Sequence, residues 1–261
     1  MIIQQAYYFI KFLVQSNNAH GIHSPFVYRL YDSGLKPNKN KNKILFKKHL
    51  DFRSDLLKNE TYIHIQDFGA GSKKLNQDKR QVNQIASTAG LSKKCAKQLI
   101  QLIQFLQPQN ILEFGTSLGL ATSAMALGDK KADIITLEGC PNTAKIARDI
   151  FKKYELDNIS IKEGDFKETL HSALENKIFD FIYFDGNHKK KPTLEYFDLC
   201  LTHKTDQSVF IFDDIHWSKE MNDAWKTIKN HPEVTVTIDT YQWGIVFFRK
   251  EQPKQHFILR V

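Results

Sequence analysis

The chain is poor in cysteine, with only Cys95, Cys140 and Cys200 among its 261 residues. The three are scattered, and they form neither a Cys-x-x-Cys pair nor a Cys/His group. This pattern excludes a disulfide framework and a zinc knuckle as the basis of the fold. Free thiols are typical of a reducing compartment, so we predict a cytoplasmic protein.

Long apolar runs are also missing. The most apolar N-terminal stretch, "MIIQQAYYFIKFLVQ", is interrupted by Gln4, Gln5 and Lys11. It is shorter than the ~20 residues that a helix needs to span a bilayer, and it lacks a basic leader and a cleavage site. Its apolar residues recur at helical spacing, at Ile3, Tyr7, Ile10 and Val14. We therefore predict an amphipathic helix of a soluble protein and no membrane partner.

Arginine is scarce, with 6 Arg against 31 Lys. Residues 1–110 hold 17 Lys and Arg against 6 Asp and Glu, a charge of +11, whereas the remainder holds 20 against 23, a charge of −3. Specific phosphate recognition usually depends on the bidentate arginine fork. We therefore interpret the run "KPNKNKNKILFKK" as a solvated loop, and nucleic acid is the less favoured partner.

The first 109 residues are predicted to form a mostly helical extension. Helices are expected over 2–16, from Ser24-Pro25 onward, up to about Lys58, and on both sides of Gly90. Between them, "TYIHIQDF" has the alternation of a short strand, and "GAGSKKLNQDKRQ" is predicted to be a polar loop. His20 and His23 are interpreted as turn and cap residues, because nothing nearby completes a metal site.

From residue 110 strands alternate with helices, which is the pattern of a wound α/β sheet. Five strands are predicted, in "NILEF", "ADIITLE", "ISIKEGD", "FDFIYFD" and "QSVFIFDD". Two more, "VTVTIDT" and "GIVFFRK", are joined by only three residues and must be antiparallel. The expected fold is α/β: a Rossmann-like seven-stranded sheet of five parallel strands plus a C-terminal antiparallel hairpin pair, flanked by helices.

Two stretches could serve as a cofactor loop: "IQDFGAGSKKL" at 65–75 and "ILEFGTSLGLATSAMAL" at 111–127. Only the second is followed by acids at successive strand ends, at Glu138, Asp165 and Asp185. Ligands of such sheets lie beyond the carboxyl ends of the strands, and Glu138 is placed to hold ribose hydroxyls. The second stretch is therefore the predicted cofactor loop. The first is predicted to be a loop that folds over the cofactor crevice.

The dinucleotide fingerprint Gly-x-Gly-x-x-Gly is absent from this loop. In its place stands Glu113-Phe-Gly115-Thr-Ser-Leu-Gly119. A carboxylate before the first glycine is unfavourable beside a phosphate, but it suits the ammonium and sulfonium groups of S-adenosylmethionine. The predicted cofactor is S-adenosylmethionine.

Residues 111–250 resemble class I S-adenosylmethionine-dependent methyltransferases of the O-methyltransferase-like branch, whose first motif is Glu-x-Gly-x-x-x-Gly. The whole sequence, with "HGIHSPFVY" and "EQPKQHFILR", also resembles bacterial members of this superfamily. The resemblance implies a lid over residues 1–109 and a catalytic domain over 110–261. Ser117 replaces a glycine of many members, which favours the O-methyltransferase branch. The implied cofactor-binding residues are Glu113, Gly115, Thr116, Ser117 and Gly119 at the methionine part, Glu138 at the ribose, Asp165 and Phe166 at the adenine, and Asp185.

A second group of residues lies in "FDGNH" at 184–188 and "FDDIHW" at 212–217. Neighbouring strands should bring Asp185, His188, Asp213, Asp214 and His216 near the transferred methyl group. By the resemblance, Asp185, Asp213 and Asp214 match the ligands of a divalent ion such as Mg²⁺, which would lower the pKa of a substrate hydroxyl. Without a metal, His188 or His216 is the candidate general base beside Asp185. The alternative is that Asp213 or Asp214 caps the next helix and that His216 is an ordinary surface histidine.

The leading hypothesis is methyl transfer to a hydroxyl of a small molecule, with residues 1–109 deciding the acceptor. An Asn/Asp-Pro-Pro-Tyr/Phe motif is absent from this position, which disfavours methylation of amino groups on bases. Two alternatives stay open: an RNA-directed methyltransferase that uses the basic N-terminal part, and a non-catalytic protein that binds the cofactor. A homodimer is compatible with all three.

Overall fold

The computed structural model describes residues 2–36, 42–66, 79–88 and 90–261. In its N-terminal part the helices are α1 (Ile2–Gln15), α2 (Pro25–Leu30), α3 (Lys43–Lys58), α4 (Val82–Thr88) and α5 (Lys93–Leu106), with a 3-10 turn at Ala19–Gly21 and a π-helical turn at Tyr31–Leu35. The Ser24 side chain caps α2 by accepting from the Val27 N–H, with Pro25 in the first turn, as the sequence predicts. The Ser92 side chain caps α5 in the same way.

Two short strands, β1 (Tyr62–His64) and β2 (Lys79–Gln81), form an antiparallel pair. The first confirms the predicted strand. The second corrects the prediction of a loop over this segment: 79–81 are strand, because their backbone pairs with β1, and a three-residue polar strand gives no periodic signal of its own. Residues 69–78 of the predicted loop, with most of the first glycine stretch, lie outside the described residues.

The main sheet contains β3 (Asn110–Phe114), β4 (Asp133–Glu138), β5 (Ile159–Glu163), β6 (Phe181–Phe184), β7 (Val209–Asp213), β8 (Val236–Asp239), β9 (Trp243–Phe247) and β10 (Gln255–Ile258). The helices between them are α6 (Leu120–Gly128), α7 (Pro141–Lys153), α8 (Phe166–Leu174), α9 (Lys190–Leu201) and α10 (Lys219–Asn230). The strand order is β10-β8-β9-β7-β6-β3-β4-β5. Strands β3 to β7 are parallel, and β9 is antiparallel to both β7 and β8, which confirms the predicted hairpin.

The sheet has eight strands rather than the seven predicted, because β10 pairs in parallel with β8. Strand β8 would otherwise present an unpaired edge, and the C-terminal segment satisfies its backbone groups. The pairing continues at an isolated parallel bridge between Asn17 and Leu259, which ties the end of α1 to the C-terminal segment. This position for the tail depends on a partner far away in sequence, so it has no local signature.

The central strands are buried on both faces; every residue of β6 and β7 is buried. One face packs on a cluster that includes Phe52 of α3, Leu99 of α5 and Ile111 of β3. The other face packs on a second cluster, with Phe197 of α9 and Trp225 of α10. The N-terminal helices thus share a core with one face of the sheet. None of the helices within the described ranges is both long and apolar enough to span a bilayer.

Candidate active site

The loop after β3 requires glycine at two positions. Gly115 has φ of 91° and Gly119 has φ of 79°, in the left-handed region. A Cβ on Gly115 would lie 2.6 Å from the carbonyl oxygen of Asp185, and one on Gly119 would overlap the ring of Phe151. The loop therefore packs against the end of β6. The backbone N–H groups of Gly115 and Thr116 both donate to the Leu137 carbonyl, which fixes the loop at the carboxyl edge of the sheet.

Glu138 ends β4 directly beside this loop, since β3 and β4 are parallel neighbours. Its Oε2 accepts the Ser117 N–H at 2.7 Å, and its Oε1 accepts the Cys140 N–H at 2.9 Å. Two backbone donors therefore hold the carboxylate beside the loop, and its role at the ribose stays a prediction.

Glu113 lies beneath the loop and is fully buried. Its Oε2 accepts from Thr122 Oγ1 at 2.5 Å and from Thr136 Oγ1 at 2.6 Å, whereas Oε1 has no partner among the described residues. Burial raises the pKa of this carboxyl from 4.5 to about 8. The group is thus mostly protonated at neutral pH, and it supports the loop from below.

A cleft, which we call the donor cavity, opens over the loop. One wall is the loop itself with Asp185, and the opposite wall comes from α4 and the turn after it: Ile85, Ala86, Gly90 and Leu91. The sequence gives no chemical signal for this second wall; only the general expectation of a lid in residues 1–109 points to it. The start of the first glycine stretch also lies at this edge, because the Gln66 N–H contacts Cys140 Sγ at 3.4 Å.

Asp165 and Phe166 follow β5 at the same edge. Asp165 caps α8 by accepting the Lys167 N–H at 2.8 Å. The ring of Phe166 packs edge-on against Phe114, with centroids 5.9 Å apart, and it covers Gly186. Phe166 thus forms an apolar wall over Gly186, and its contact with the adenine stays a prediction.

The predicted carboxylates come together at the ends of β6 and β7. Gln242 Nε2 donates to Asp213 Oδ1 at 2.9 Å and to Asp214 Oδ1 at 2.8 Å. Burial raises the pKa of Asp213 well above its ordinary value, and the negative charges of Asp185 and Asp214 raise it further. Burial likewise raises the pKa of Asp214. We call Asp185, His188, Asp213, Asp214 and Gln242 the carboxylate cluster.

The alternative interpretation, in which one of these aspartates caps the next helix, is wrong. Helix α10 is capped by Ser218, whose Oγ accepts the Met221 N–H at 3.1 Å. The arrangement also does not form a metal cage: across the described part of the chain no three His, Cys, Asp or Glu side chains have the spacing of a metal site. Instead, the amide of Gln242 donates one hydrogen bond to Asp213 and one to Asp214.

The two predicted histidines have different surroundings. His188 Nε2 lies 3.5 Å from Asp185 Oδ1. Burial lowers the pKa of His188, but the hydrogen bond and charge of Asp185 outweigh it, and the net pKa is raised. His216 instead bonds through both ring nitrogens, with Nε2 at 2.9 Å from Asp239 Oδ2 and Nδ1 at 2.8 Å from Asn222 Nδ2. His216 therefore has no free nitrogen for a substrate, and in this arrangement it connects α10 to the end of β8.

A second, larger cavity, which we call the acceptor cavity, adjoins the cluster at Gln242. It could not be predicted from the sequence, because its lining comes from four distant segments: Phe9, Phe12 and Leu13; Ser92, Lys94, Cys95 and Gln98; residues 240–243; and Arg260 and Val261. The donor cavity thus meets the carboxylate cluster at Asp185, and the acceptor cavity meets it at Gln242.

Three features define a Rossmann-like methyltransferase fold: the strand order of the main sheet, the glycine loop after β3, and the acid Glu138 at the end of β4. The site also suits S-adenosylmethionine, since Glu138 lies beside a loop that lines the donor cavity and that carries no Lys or Arg for a pyrophosphate. Residues 112–215 match a family model described as a methyltransferase domain. This match confirms the resemblance to methyltransferases over residues 112–215.

Individual relatives agree with this assignment. The chain is 31% identical over 118 residues to a catechol O-methyltransferase from Niastella koreensis; the match covers 44% of this chain and 52%, about half, of that relative. Among solved structures, an O-methyltransferase from Bacillus cereus with S-adenosylhomocysteine (SAH) has a TM-score of 0.55 at 20% identity, over 85% of this chain and 95% of that one. An SAH-bound methyltransferase from Podospora anserina has a TM-score of 0.60 at 16% identity, over 88% and 97%. At these identities the two structures show the shared fold.

Proposed function

We propose that this protein transfers the methyl group of S-adenosylmethionine to a hydroxyl group of a small molecule. The observation that carries the proposal is the position of the carboxylate cluster. Asp185 lines the donor cavity, and Gln242 lines the acceptor cavity and bonds to Asp213 and Asp214. A hydroxyl beside Gln242 would face the donor cavity through the cluster.

The residues of this chain bind and orient the two reactants. S-adenosylmethionine supplies a methyl carbon activated by a sulfonium, and the S–CH₃ bond breaks as the O–CH₃ bond forms. The loop at 115–119 borders the methionine part, Glu138 accepts from the ribose hydroxyls, and Phe166 packs on the adenine. Holding the reacting oxygen in line with the S–C bond is the main contribution that we assign to the protein.

The hydroxyl proton needs an acceptor, and we assign it to His188. Its partner Asp185 orients the ring and balances the charge once the proton is taken up. His216 is not assigned this role, because both of its nitrogens are already engaged. Asp213 is not assigned this role either, because its carboxylate is buried and already accepts from Gln242.

The first experiment is calorimetry with S-adenosylmethionine and SAH. We expect both to bind, and Glu138→Ala to weaken binding by tenfold or more, about 1.4 kcal/mol. The matched control is Glu163→Ala, because Glu163 is the cross-strand neighbour of Glu138 and ends the next strand. Absence of binding by both compounds to the folded wild type contradicts the proposed function.

Assistance by a divalent metal is a separate part of the proposal. It is supported by the three clustered carboxylates, whose mutual repulsion a cation would offset. A cation bound there would have to replace the hydrogen bonds that Gln242 donates to Asp213 and Asp214. No step of the methyl transfer described above depends on the metal. Loss of methyl transfer in chelator and its return with Mg²⁺ would support the metal; activity that survives both chelator and Asp185→Ala contradicts it.

A further inference from the structure

The wall of the donor cavity that faces the loop is a short structure with little support of its own. We call it the N-terminal wall: it consists of Ile85 and Ala86 of α4, with Gly90 and Leu91, which follow that helix. Helix α4 has only 7 residues. Helices this short are marginal in isolation, and the last carbonyls of a helix have no partner within it. The N-terminal wall therefore needs contacts from elsewhere in the chain to keep its position.

Arg53 of α3 supplies such contacts. Its Nη1 donates to the Leu91 carbonyl at 2.5 Å, and its Nη2 donates to the Ala86 carbonyl at 3.4 Å. Ala86 lies in the last turn of α4, and both residues line the donor cavity, whereas Arg53 itself does not. A guanidinium presents its donors in one rigid plane. Arg53 therefore pairs the two carbonyls and also fixes the distance between them.

The charge of Arg53 is not used in an ion pair. Among the described residues no carboxylate lies at ion-pair distance from it, although Arg148 and Arg249 each pair with a glutamate. Burial lowers the pKa of Arg53, and its Nε is buried without a hydrogen-bond partner in the described part of the chain. Partial burial of a cation is unfavourable unless its donors are satisfied. The two carbonyls of the N-terminal wall are therefore what holds the guanidinium in place.

Helix α3 also contacts the opposite side of the donor cavity. His49, one turn before Arg53, has its Nδ1 3.2 Å from Ser123 Oγ in the first turn of α6. Ser123 Oγ lies 3.1 Å from the carbonyl of Leu120, to which it donates, and Leu120 lines the donor cavity. Burial and the charge of Arg53 lower the pKa of His49 to about 4, so the ring is neutral at physiological pH. One helix thus holds structures on both sides of the cavity.

The two sides of the cavity meet at Gly90. A Cβ on Gly90 would lie 2.2 Å from Leu120 Cδ1 and 3.0 Å from the Ala86 carbonyl oxygen. The backbone of the N-terminal wall is therefore in close contact with the start of α6, and it can move away from the loop but not toward it. The bonds from Arg53 to Ala86 and Leu91 oppose the movement away.

We propose that Arg53 is a positioning residue for the methyl donor, which holds the N-terminal wall at the distance from the loop of 115–119 at which S-adenosylmethionine binds. This inference deepens the proposed function and rests on it. Arg53 touches neither reactant and acts through Ala86 and Leu91. Its contribution is pre-organisation, because a wall that is already in place does not have to be ordered when the ligand binds.

The test is calorimetric titration of SAH into the full chain and its variants, with urea unfolding of each protein. Arg53→Gln removes the cation and shortens the side chain, and we expect it to bind SAH roughly tenfold or more weakly than the wild type. Arg53→Lys keeps the charge but has no fork, so it can serve one carbonyl at a time. Its affinity for SAH should lie between those of the wild type and Arg53→Gln.

Two control variants separate positioning of the wall from loss of charge and from loss of stability. Lys48→Gln removes an exposed cation from α3, outside the lining of the cavity. Tyr154→Phe removes the 2.6 Å hydrogen bond from Tyr154 to Asp55, which anchors α3 to the end of α7 and not to the N-terminal wall. Both should bind SAH within about twofold of the wild type, even where Tyr154→Phe unfolds at a lower urea concentration.

Hydrogen exchange locates the effect in the chain. Without ligand, the amides of 82–88 should exchange faster in Arg53→Gln than in the wild type, because the helix opens more often once its carbonyl partner is lost. Saturating SAH should restore most of the protection, since the ligand then holds the wall. Exchange in the central strands β6 and β7 should be the same in both proteins.

Three results would each overturn the inference: an affinity of Arg53→Gln for SAH within about threefold of the wild type, an equal loss of affinity in Tyr154→Phe, or unchanged exchange over 82–88. If Arg53→Gln does not fold, Arg53→Lys is judged by the same three criteria. A wild type that binds neither S-adenosylmethionine nor SAH contradicts the proposed function. A wild type that binds SAH no more tightly than Arg53→Gln refutes the role of Arg53 alone.

Discussion

Glu113 supplies a prediction about stability that does not depend on any ligand. Its carboxyl is fully buried, with one oxygen bonded by two threonine hydroxyls and the other without a partner among the described residues. Burial raises its pKa from 4.5 to about 8 in the folded protein. Because the folded pKa is the higher one, the stability it contributes is complete below pH 4.5 and is lost as the pH rises through about 8.

The size of the effect follows from proton linkage. Between pH 6 and pH 9 the native protein gives up a proton that the unfolded chain has already lost, so the free energy of unfolding falls by roughly 3 kcal/mol from this group alone. Glu113→Gln keeps the shape and cannot titrate, and it should lack this loss. The gap in unfolding free energy between wild type and variant should therefore shift by roughly 3 kcal/mol toward the variant over this range.

The measurement is urea unfolding of both proteins at pH 6, 7, 8 and 9. All other titrating groups are common to the two chains and cancel in the difference. Glu163→Gln serves as the control, since Glu163 is exposed and its variant should run parallel to the wild type. A gap for Glu113→Gln that stays constant within about 0.5 kcal/mol would refute the assignment of a buried, protonated carboxyl.

Three further substitutions separate the roles of nearby residues. Gly115→Ala places a Cβ 2.6 Å from the Asp185 carbonyl at a φ of 91° and should destabilise the fold by about 1–3 kcal/mol and weaken cofactor binding, as measured by urea unfolding and calorimetry. His188→Ala should lower kcat by at least a hundredfold with an unchanged SAH affinity; an unchanged kcat would remove it as the base. His216→Ala should lower the free energy of unfolding by roughly 1–3 kcal/mol, because it leaves Asn222 and Asp239 without their partner. A large fall in kcat with an unchanged free energy of unfolding would contradict this structural role.

The donor side could be predicted from the sequence because its chemistry is local. The glycines of 115–119 sit within five residues, and Glu138 stands at the end of the next strand, so strand alternation alone places them together. The meeting of Asp185 with Asp213 and Asp214 follows from the same rule for parallel neighbours.

The other features of the fold and site depend on long-range contacts, which leave no local pattern in the sequence. The sequence does not distinguish a structural role for His216 from a catalytic one, because its partners Asn222 and Asp239 reach it only in the folded structure. The eighth strand, β10, forms because the edge of β8 is free to pair with it. The acceptor cavity is lined by segments that lie more than 200 residues apart in the sequence. For "IQDFGAGSKKL", the predicted lid position stays a prediction, since residues 67–75 lie outside the described ranges.

The bridge between Asn17 and Leu259 has a consequence for how substrates are assigned within such families. It draws together the two ends of the chain, and every residue that lines the acceptor cavity lies outside 112–215, the segment that matches the family model. Two proteins can therefore share that segment closely and still accept different molecules. Transfer of an acceptor's identity between relatives should rest on the residues equivalent to Phe9, Lys94, Tyr241 and Arg260, whatever the similarity of the shared segment.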